Sequence, residues 1–300
     1  MVNINNGLDT LKLDFKKLEL VEYMSRGSSG KVYKSKYDGD SVISKCFNID
    51  NYHCVAGQVR DVTDELTIYR YLSNSIYCCE LVGWCYSEED IYIIMKDYNV
   101  KGDLYDYLNE DDHWFKFNRE INNNQFFYQY KHNKWIFDLD RKTKVTITTG
   151  ILRAINELHA KNIVHCDLKT NNILFNEDTK KVILIDFGAS HYLGDKKDGE
   201  TYENMGTLGY ACPKLTKGFC SKKSDIYSLA VCIIEVWSGA IWNEGNSFTE
   251  CRLEMLSSLR RLALKEPGLA KELRKGVSLN IDKRPYIQTL AANIENLIDK

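Results

Sequence analysis

The sequence lacks most of the features that would assign a chain by composition alone. Proline is scarce, at three in 300 residues, and with 44% hydrophobic and 27% charged residues nothing suggests a disordered or fibrous chain. Charge of one sign is not in excess. A net charge of −2, with Lys and Arg spread along the sequence, gives no electrostatic argument for nucleic acid or an acidic membrane surface, so neither is expected as a partner. No C-x-x-C pair occurs, which argues against a zinc site. Residues 1–11 have no basic stretch followed by an apolar run, so no signal peptide is expected. Long hydrophobic runs are also missing. The most apolar segment, 229–237, is too short to span a bilayer, contains Glu235, and reads as a buried core helix.

The ten cysteines are present without a pattern. Cys78 and Cys79 are adjacent, Cys46, Cys166 and Cys232 lie in apolar surroundings, and no ladder of spacings appears. The expectation is reduced, partly buried thiols in a cytoplasmic protein. Three hundred residues suffice for one large domain or two small ones.

The first third reads as strands with one helix. Segments 18–24, 31–37 and 41–47 are strand candidates, the last two joined by the turn Asp38-Gly39-Asp40. Val62, Leu66, Tyr69 and Leu72 recur at helical spacing over 61–72, and strands follow at 81–86 and 91–95. After Gly102 the pattern turns helical, with Asp140 as N-cap of 142–160, a further helix at 224–238 and several more from Phe248 onward. Between Tyr107 and Asp140 lies a polar stretch without clear periodicity. It is either a disordered loop or an inserted surface subdomain, and its aromatics (Trp114, Phe115, Phe117, Phe126, Phe127, Trp135) favour partial packing.

Four segments carry candidate chemistry. In 25–32, Ser-Arg-Gly-Ser-Ser-Gly-Lys-Val, the glycines would let backbone N–H groups approach phosphate oxygens, although Gly-Ser turns are common between strands. Lys45 lies late in an apolar strand, and Glu65 lies on the helix that follows. Such a pair can place an ammonium against α- and β-phosphates. The decisive pair of segments is His165-Cys166-Asp167-Leu168-Lys169-Thr170-Asn171-Asn172 and Asp186-Phe187-Gly188, each beside an apolar strand. Phosphoryl transfer needs one carboxylate to orient the attacking hydroxyl, and a second with an amide to hold Mg²⁺. Asp167 fits the first role; Asp186 with Asn172 fits the second. Either aspartate alone would read as a turn cap.

In this order the segments resemble the eukaryotic protein kinase family from about residue 15 to the C-terminus. Gly206-Thr207-Leu208-Gly209-Tyr210 with Cys212-Pro213-Lys214 resembles the end of its activation segment, Ser224-Asp225 the start of its central C-lobe helix, and Asp282-Lys283-Arg284-Pro285 its late arginine motif. The resemblance implies an α+β, two-lobed fold over residues 15–296. A small antiparallel-sheet lobe would span about 15–98 and a helical lobe about 99–296, with an insertion near 108–139. It also implies an ATP-dependent enzyme acting on protein substrates with Mg²⁺ or Mn²⁺. Arg26, Gly27, Ser28, Ser29, Gly30, Val32, Ile43, Lys45, Glu65, Met95, Asp97 and Tyr98 would then bind nucleotide. Asp167 and Lys169 would be catalytic, and Asn172 and Asp186 would hold the metal. Lys169, two residues after the catalytic aspartate, and Thr207 mark the Ser/Thr class. A pseudokinase and a small-molecule kinase are the rival readings, and the peptide-shelf segment 206–210 counts against the second.

Departures from the family pattern are local. Ser25 replaces the first loop glycine, and Ile43 replaces a small residue over the adenine ring, where its extra carbons would crowd the nucleotide. Cys166 replaces the arginine that pairs with a phosphorylated activation loop, so phosphorylation at Thr201, Tyr202 or Thr207 would lack its usual anchor. Cys166 itself is expected to be a quiet small hydrophobe. Lys214 replaces the glutamate that would pair with Arg284. An unpartnered buried arginine costs about 3–5 kcal/mol, so another acid or solvent is expected at Arg284. An ungapped match puts Lys96 at the back of the nucleotide pocket. A one-residue shift puts Met95 there, which avoids an unpaired lysine in an apolar place.

Overall fold

The computed structural model describes residues 8–26, 30–48, 62–109, 130–131, 134–135, 139–194, 206–215, 218–239 and 247–299. Five strands form one antiparallel sheet: β1 (Leu18–Arg26), β2 (Lys31–Tyr37), β3 (Asp40–Asn48), β4 (Leu81–Tyr86) and β5 (Asp90–Lys96), in the order β1-β2-β3-β5-β4. The β2–β3 turn uses Asp38 at φ 52° and Gly39 at φ 94°. Two left-handed residues match the twist of the flanking strands, which is why Asp-Gly was legible as a hairpin turn.

Period-two alternation gives the sheet two apolar faces. Val42, Cys46, Tyr92 and Ile94 pack on one side with Cys85, while Ile43, Phe47, Ile91, Ile93 and Met95 join the main core on the other. Lys45 shares that second face with Ile43 by the same alternation. Helix α1 (Val62–Tyr71) buries Val62, Glu65, Leu66, Ile68 and Tyr69. Residues 8–13 run beside β4. Trp84 Nε1 donates to the Leu8 carbonyl at 2.9 Å, and Leu13 N donates to the Trp84 carbonyl at 2.8 Å.

The second lobe is mostly helical. After the short α2 (Leu104–Asn109), a short hairpin, β6 (Tyr130–Lys131) with β7 (Lys134–Trp135), is described within the expected insertion; residues 110–129, 132–133 and 136–138 lie outside the described residues. Helix α3 (Arg141–Ala160) begins where Asp140 accepts from Thr143 N, as its N-cap role required. Strand β8 (Ile163–Val164) pairs with β11 (His191–Tyr192), and β9 (Ile173–Asn176) pairs with β10 (Lys181–Leu184).

Helix α4 (Lys222–Ser238) is buried from Ser224 to Trp237, because its apolar residues lie on every face. Each of its fully buried aliphatic side chains contributes roughly 1.5–3 kcal/mol of hydrophobic stabilisation. Ser221 caps its start by accepting from Ser224 N, and Gly239 at φ 60° ends it. Helices α5 (Phe248–Lys265), α6 (Pro267–Gly276) and α7 (Ile287–Ile298) complete the lobe.

The two lobes form the α+β architecture expected. They are joined by residues 97–103 and by a backbone bridge in which Cys79 N donates to the Leu184 carbonyl and Leu184 N to the Tyr77 carbonyl, at 2.9 and 2.7 Å. No helix among the described residues is long and apolar enough to cross a membrane.

Candidate active site

Lys45, Glu65 and Asp186 come together from β3, α1 and the loop after β10. Lys45 Nζ donates to both Glu65 oxygens at 2.9 and 3.0 Å and to Asp186 Oδ1 at 2.7 Å. Burial opposes the charge on Lys45, but the two carboxylates outweigh it and raise its pKa. Burial likewise pushes Asp186 up, yet the Lys45 ammonium and a hydrogen bond from Gly188 N prevail and lower it to about 2. Asp186 is therefore ionised at neutral pH. Behind it, the Phe187 ring packs edge-on against Tyr69 of α1 at 5.1 Å and lies 5.6 Å from the His165 ring. This stack seats Asp186 against the lysine by linking α1 to the loop that follows Val164.

That loop is braced from below. Asp225, fully buried in the first turn of α4, accepts from His165 N at 2.8 Å and Cys166 N at 3.0 Å, while His159 Nε2 lies 3.0 Å from the same carboxylate. Asp167 N donates to His165 Nδ1, which leaves the proton on Nε2, 3.4 Å from the Ile185 carbonyl. At the loop's tip, Thr207 Oγ1 donates to Asp167 Oδ1 at 2.8 Å and accepts from Lys169 Nζ at 2.9 Å. Asn172 Nδ2 donates to the Asp167 carbonyl at 2.7 Å, which turns its amide oxygen the other way. One ionised carboxylate and one amide oxygen are hard donors that suit Mg²⁺ or Mn²⁺.

Gly30 immediately precedes β2, where a Cβ would meet the Cys46 carbonyl oxygen of β3 at 2.5 Å, so the chain approaches β3 too closely at this residue for a side chain. Gly27, Ser28 and Ser29 lie outside the described residues; Arg26 ends β1 opposite Lys31. Val32 is in register with Lys45, and Ile43 with Met95. Met95 points inward, its sulfur accepting from Tyr69 OH at 2.9 Å, whereas Lys96 is exposed and paired with Glu80. The structure thus favours Met95 over Lys96 for the interior position. In the connection, the Asp97 carboxylate accepts from Ser41 Oγ at 2.7 Å and Asn99 N at 2.7 Å, and Tyr98 OH accepts from Glu80 N.

The family model of the protein kinase domain matches residues 18–278. This chain belongs to the protein kinase family. Among its relatives, the human serine/threonine-protein kinase TNNI3K is 26% identical over 234 residues, covering 76% of this chain and 25% of its own length. An Arabidopsis thaliana G-type lectin S-receptor-like serine/threonine-protein kinase is 28% identical over 250 residues (81% and 27%). The RGS domain-containing serine/threonine-protein kinase A of Dictyostelium discoideum is 24% identical over 297 residues (96% and 23%). The chain thus spans about a quarter of the length of these relatives.

Two expectations for this kinase-family chain need correction. Cys166 is not an isolated thiol: a disulfide joins it to Cys220, with Cα atoms 6.1 Å apart. No spacing rule could have paired residues 54 apart in sequence. Of the two partners expected at the buried Arg284, an acid or solvent, no acid reaches it among the described residues. Its guanidinium donates to the carbonyls of Ser278 and Lys223, both at 2.8 Å, and lies over the Tyr227 ring. These carbonyls meet Nε and Nη1, because the chain after α6 folds back across the start of α4; Nη2 is buried without a hydrogen-bond partner among the described residues.

Three further groups at the site were missed. Glu235, the lone acid in the apolar run of α4, accepts from Tyr210 OH at 2.6 Å and Thr170 Oγ1 at 3.1 Å. Burial raises its pKa to about 8. Asp103, raised to about 6 by burial, accepts from Asn171 Nδ2 at 3.2 Å. The only signal for Glu235 was a charge inside a hydrophobic helix; for Asp103 and Cys220 there was none.

Proposed function

We propose that this chain is an ATP-dependent protein kinase that transfers the γ-phosphoryl group to Ser and Thr hydroxyls of protein substrates. The observation that carries this is the meeting of Asp167 Oδ1 and Lys169 Nζ on the hydroxyl of Thr207. An aliphatic alcohol donates to the carboxylate that would orient a substrate hydroxyl, beside the ammonium that would steady the transferring group.

The rest of the reading follows the chain's own residues. Lys45, held by Glu65, would meet the α- and β-phosphates, and backbone N–H groups of Arg26, Gly27, Ser28, Ser29 and Gly30 would cradle them. Val32, Ile43, Met95, Asp97 and Tyr98 would surround the base. Asp186 and the Asn172 amide oxygen would hold Mg²⁺ or Mn²⁺, whose charge offsets that on the phosphate oxygens. Asp167 would accept the hydroxyl proton. Positioning and fixed charge supply most of the catalysis in such a site. The domain would run over 15–296, and a cytoplasmic place of action belongs to the same reading.

The test is radiolabelled-ATP incorporation into a peptide array with Mg²⁺ or Mn²⁺, with Asp167→Asn as control. Wild type should transfer label to Ser and Thr peptides and the variant should not; equal incorporation would reject the enzyme. Ile43 favours a second reading, a nucleotide-binding or scaffolding pseudokinase, which would bind substrate proteins without turnover.

A further inference from the structure

We propose that Cys166 and Cys220 form a reversible thiol–disulfide modification site, whose closed form clamps the end of the activation segment onto the catalytic loop.

Both cysteines are aimed by the same structural element. The backbone N–H of Cys166 donates to Asp225 in the first turn of α4, and Cys166 takes φ 63°, a left-handed conformation that fixes the direction of its side chain. Cys220 immediately precedes Ser221, the N-cap of that helix, and Ser224 Oγ donates back to the Phe219 carbonyl at 3.2 Å. The start of α4 therefore presents both sulfurs to each other. Their Cα separation of 6.1 Å is inside the range, about 4.4–6.8 Å, that a disulfide spans without backbone movement.

Position gives the bond its consequence. Cys166 directly precedes Asp167, and the intervening ring of chain contains Asp186, Gly206, Thr207 and Tyr210. Gly206 lies against the Cys166 carbonyl, so closely that a Cβ there would sit 3.3 Å from that oxygen. In the protein kinase family pattern, position 166 holds an arginine that fastens the activation segment through charge; here a covalent bond occupies the same place. Cys78, Cys79 and Cys85 remain free thiols, each raised to about 12 by burial and so poorly nucleophilic.

The chemistry balances with two classes of co-reactant. In oxidation by a hydroperoxide, one cysteine thiolate attacks the O–O bond, giving a sulfenic acid and releasing an alcohol or water. The second thiol then displaces the sulfenic oxygen as water and closes the S–S bond. In reduction by a dithiol, one thiolate opens the bond to a mixed disulfide. The second thiol resolves it, delivering two electrons and two protons to the pair and leaving as a cyclic disulfide. Both sulfurs belong to fully buried residues, so either reagent enters only when the segment opens locally.

The experiment uses the full chain, treated with hydrogen peroxide or with dithiothreitol, alkylated, and digested with trypsin without reductant. The peroxide sample should contain residues 162–169 (NIVHCDLK) joined to 218–222 (GFCSK), and the dithiothreitol sample should contain both peptides alkylated. Hydrogen exchange of residues 206–215, read on the same wild-type samples, should be about tenfold faster in the reduced form. Cys220→Ser should match reduced wild type under both treatments. Alkylation of Cys166 in peroxide-treated protein, its linkage to a different cysteine, or equal exchange in both forms would overturn the proposal.

Its effect on catalysis rests on the function proposed above: peptide phosphorylation should fall several-fold on reduction while the KM for ATP stays constant. Unchanged peptide phosphorylation on reduction would overturn the clamp. If the linked peptide and the exchange difference are found but no form transfers phosphate, the kinase reading fails and the redox site stands.

Discussion

At the scale of single residues, the site is governed by charges that must be paired to be buried. Lys45 and Glu65 are both nearly sealed from solvent, so removing the ammonium takes from a buried carboxylate the cation that faces both its oxygens. Lys45→Met should cost about 3–5 kcal/mol in urea denaturation at neutral pH and abolish phosphoryl transfer. The pH dependence has a definite sign. Asp186, lowered to about 2, contributes stability that is present above its unfolded value near 3.9 and lost as pH falls through about 2. Lys45, raised, loses its contribution only above its unfolded value near 10.4, so the pair is constant through neutral pH. Ile43 lies on the same sheet face as Lys45. Ile43→Ala should tighten Mg-ATP binding by about tenfold in calorimetry, the scale on which a pocket registers a few carbons; an unchanged affinity would show that its bulk is accommodated.

At the scale of elements, α4 is the platform on which the rest is assembled. Its buried Asp225 fixes the backbone before Asp167, and its Glu235 gathers Thr170 and Tyr210, joining the catalytic loop to the end of the activation segment. Glu235 makes that joint pH-sensitive. Its folded pKa of about 8 exceeds the unfolded value near 4.3, so the native protein holds a proton that the unfolded chain has released. Stability should therefore decline from about pH 4.5 to about pH 8. Glu235→Gln, which keeps an acceptor for Tyr210, should flatten that decline in denaturation midpoints at pH 5.5 and 8. A slope equal to that of wild type would assign the decline to other groups.

At the scale of the molecule, the segment between β10 and α4 is fastened without the arginine expected at position 166. Thr207 reaches Asp167, Tyr210 reaches Glu235, and Cys220 reaches Cys166, all within the protein. Phosphorylation has no arginine to engage there. Phosphatase treatment of purified protein should accordingly leave turnover unchanged, and a loss of activity would mean that a phosphate anchor exists elsewhere. Arg284 repeats the pattern, because backbone carbonyls and a tyrosine ring replace the acid that Lys214 removed.

Local pattern in the sequence was enough to place the elements and to single out the residues proposed to react. Apolar runs bounded by polar turns marked β3 and β5, the Asp-Gly turn marked the hairpin with β2, and the short motifs around Asp167 and Asp186 carried the proposed chemistry. Which side chains meet depends on how the elements pack. Met95 rather than Lys96 faces inward because β5 pairs with β3 in a register that puts Met95 opposite Ile43. Cys166 meets Cys220, and Glu235 meets Tyr210, because α4 is buried in the lobe and draws distant segments onto its first and fourth turns. Contacts of that kind depend on how the chain folds back on itself, and no pattern within a few residues records them.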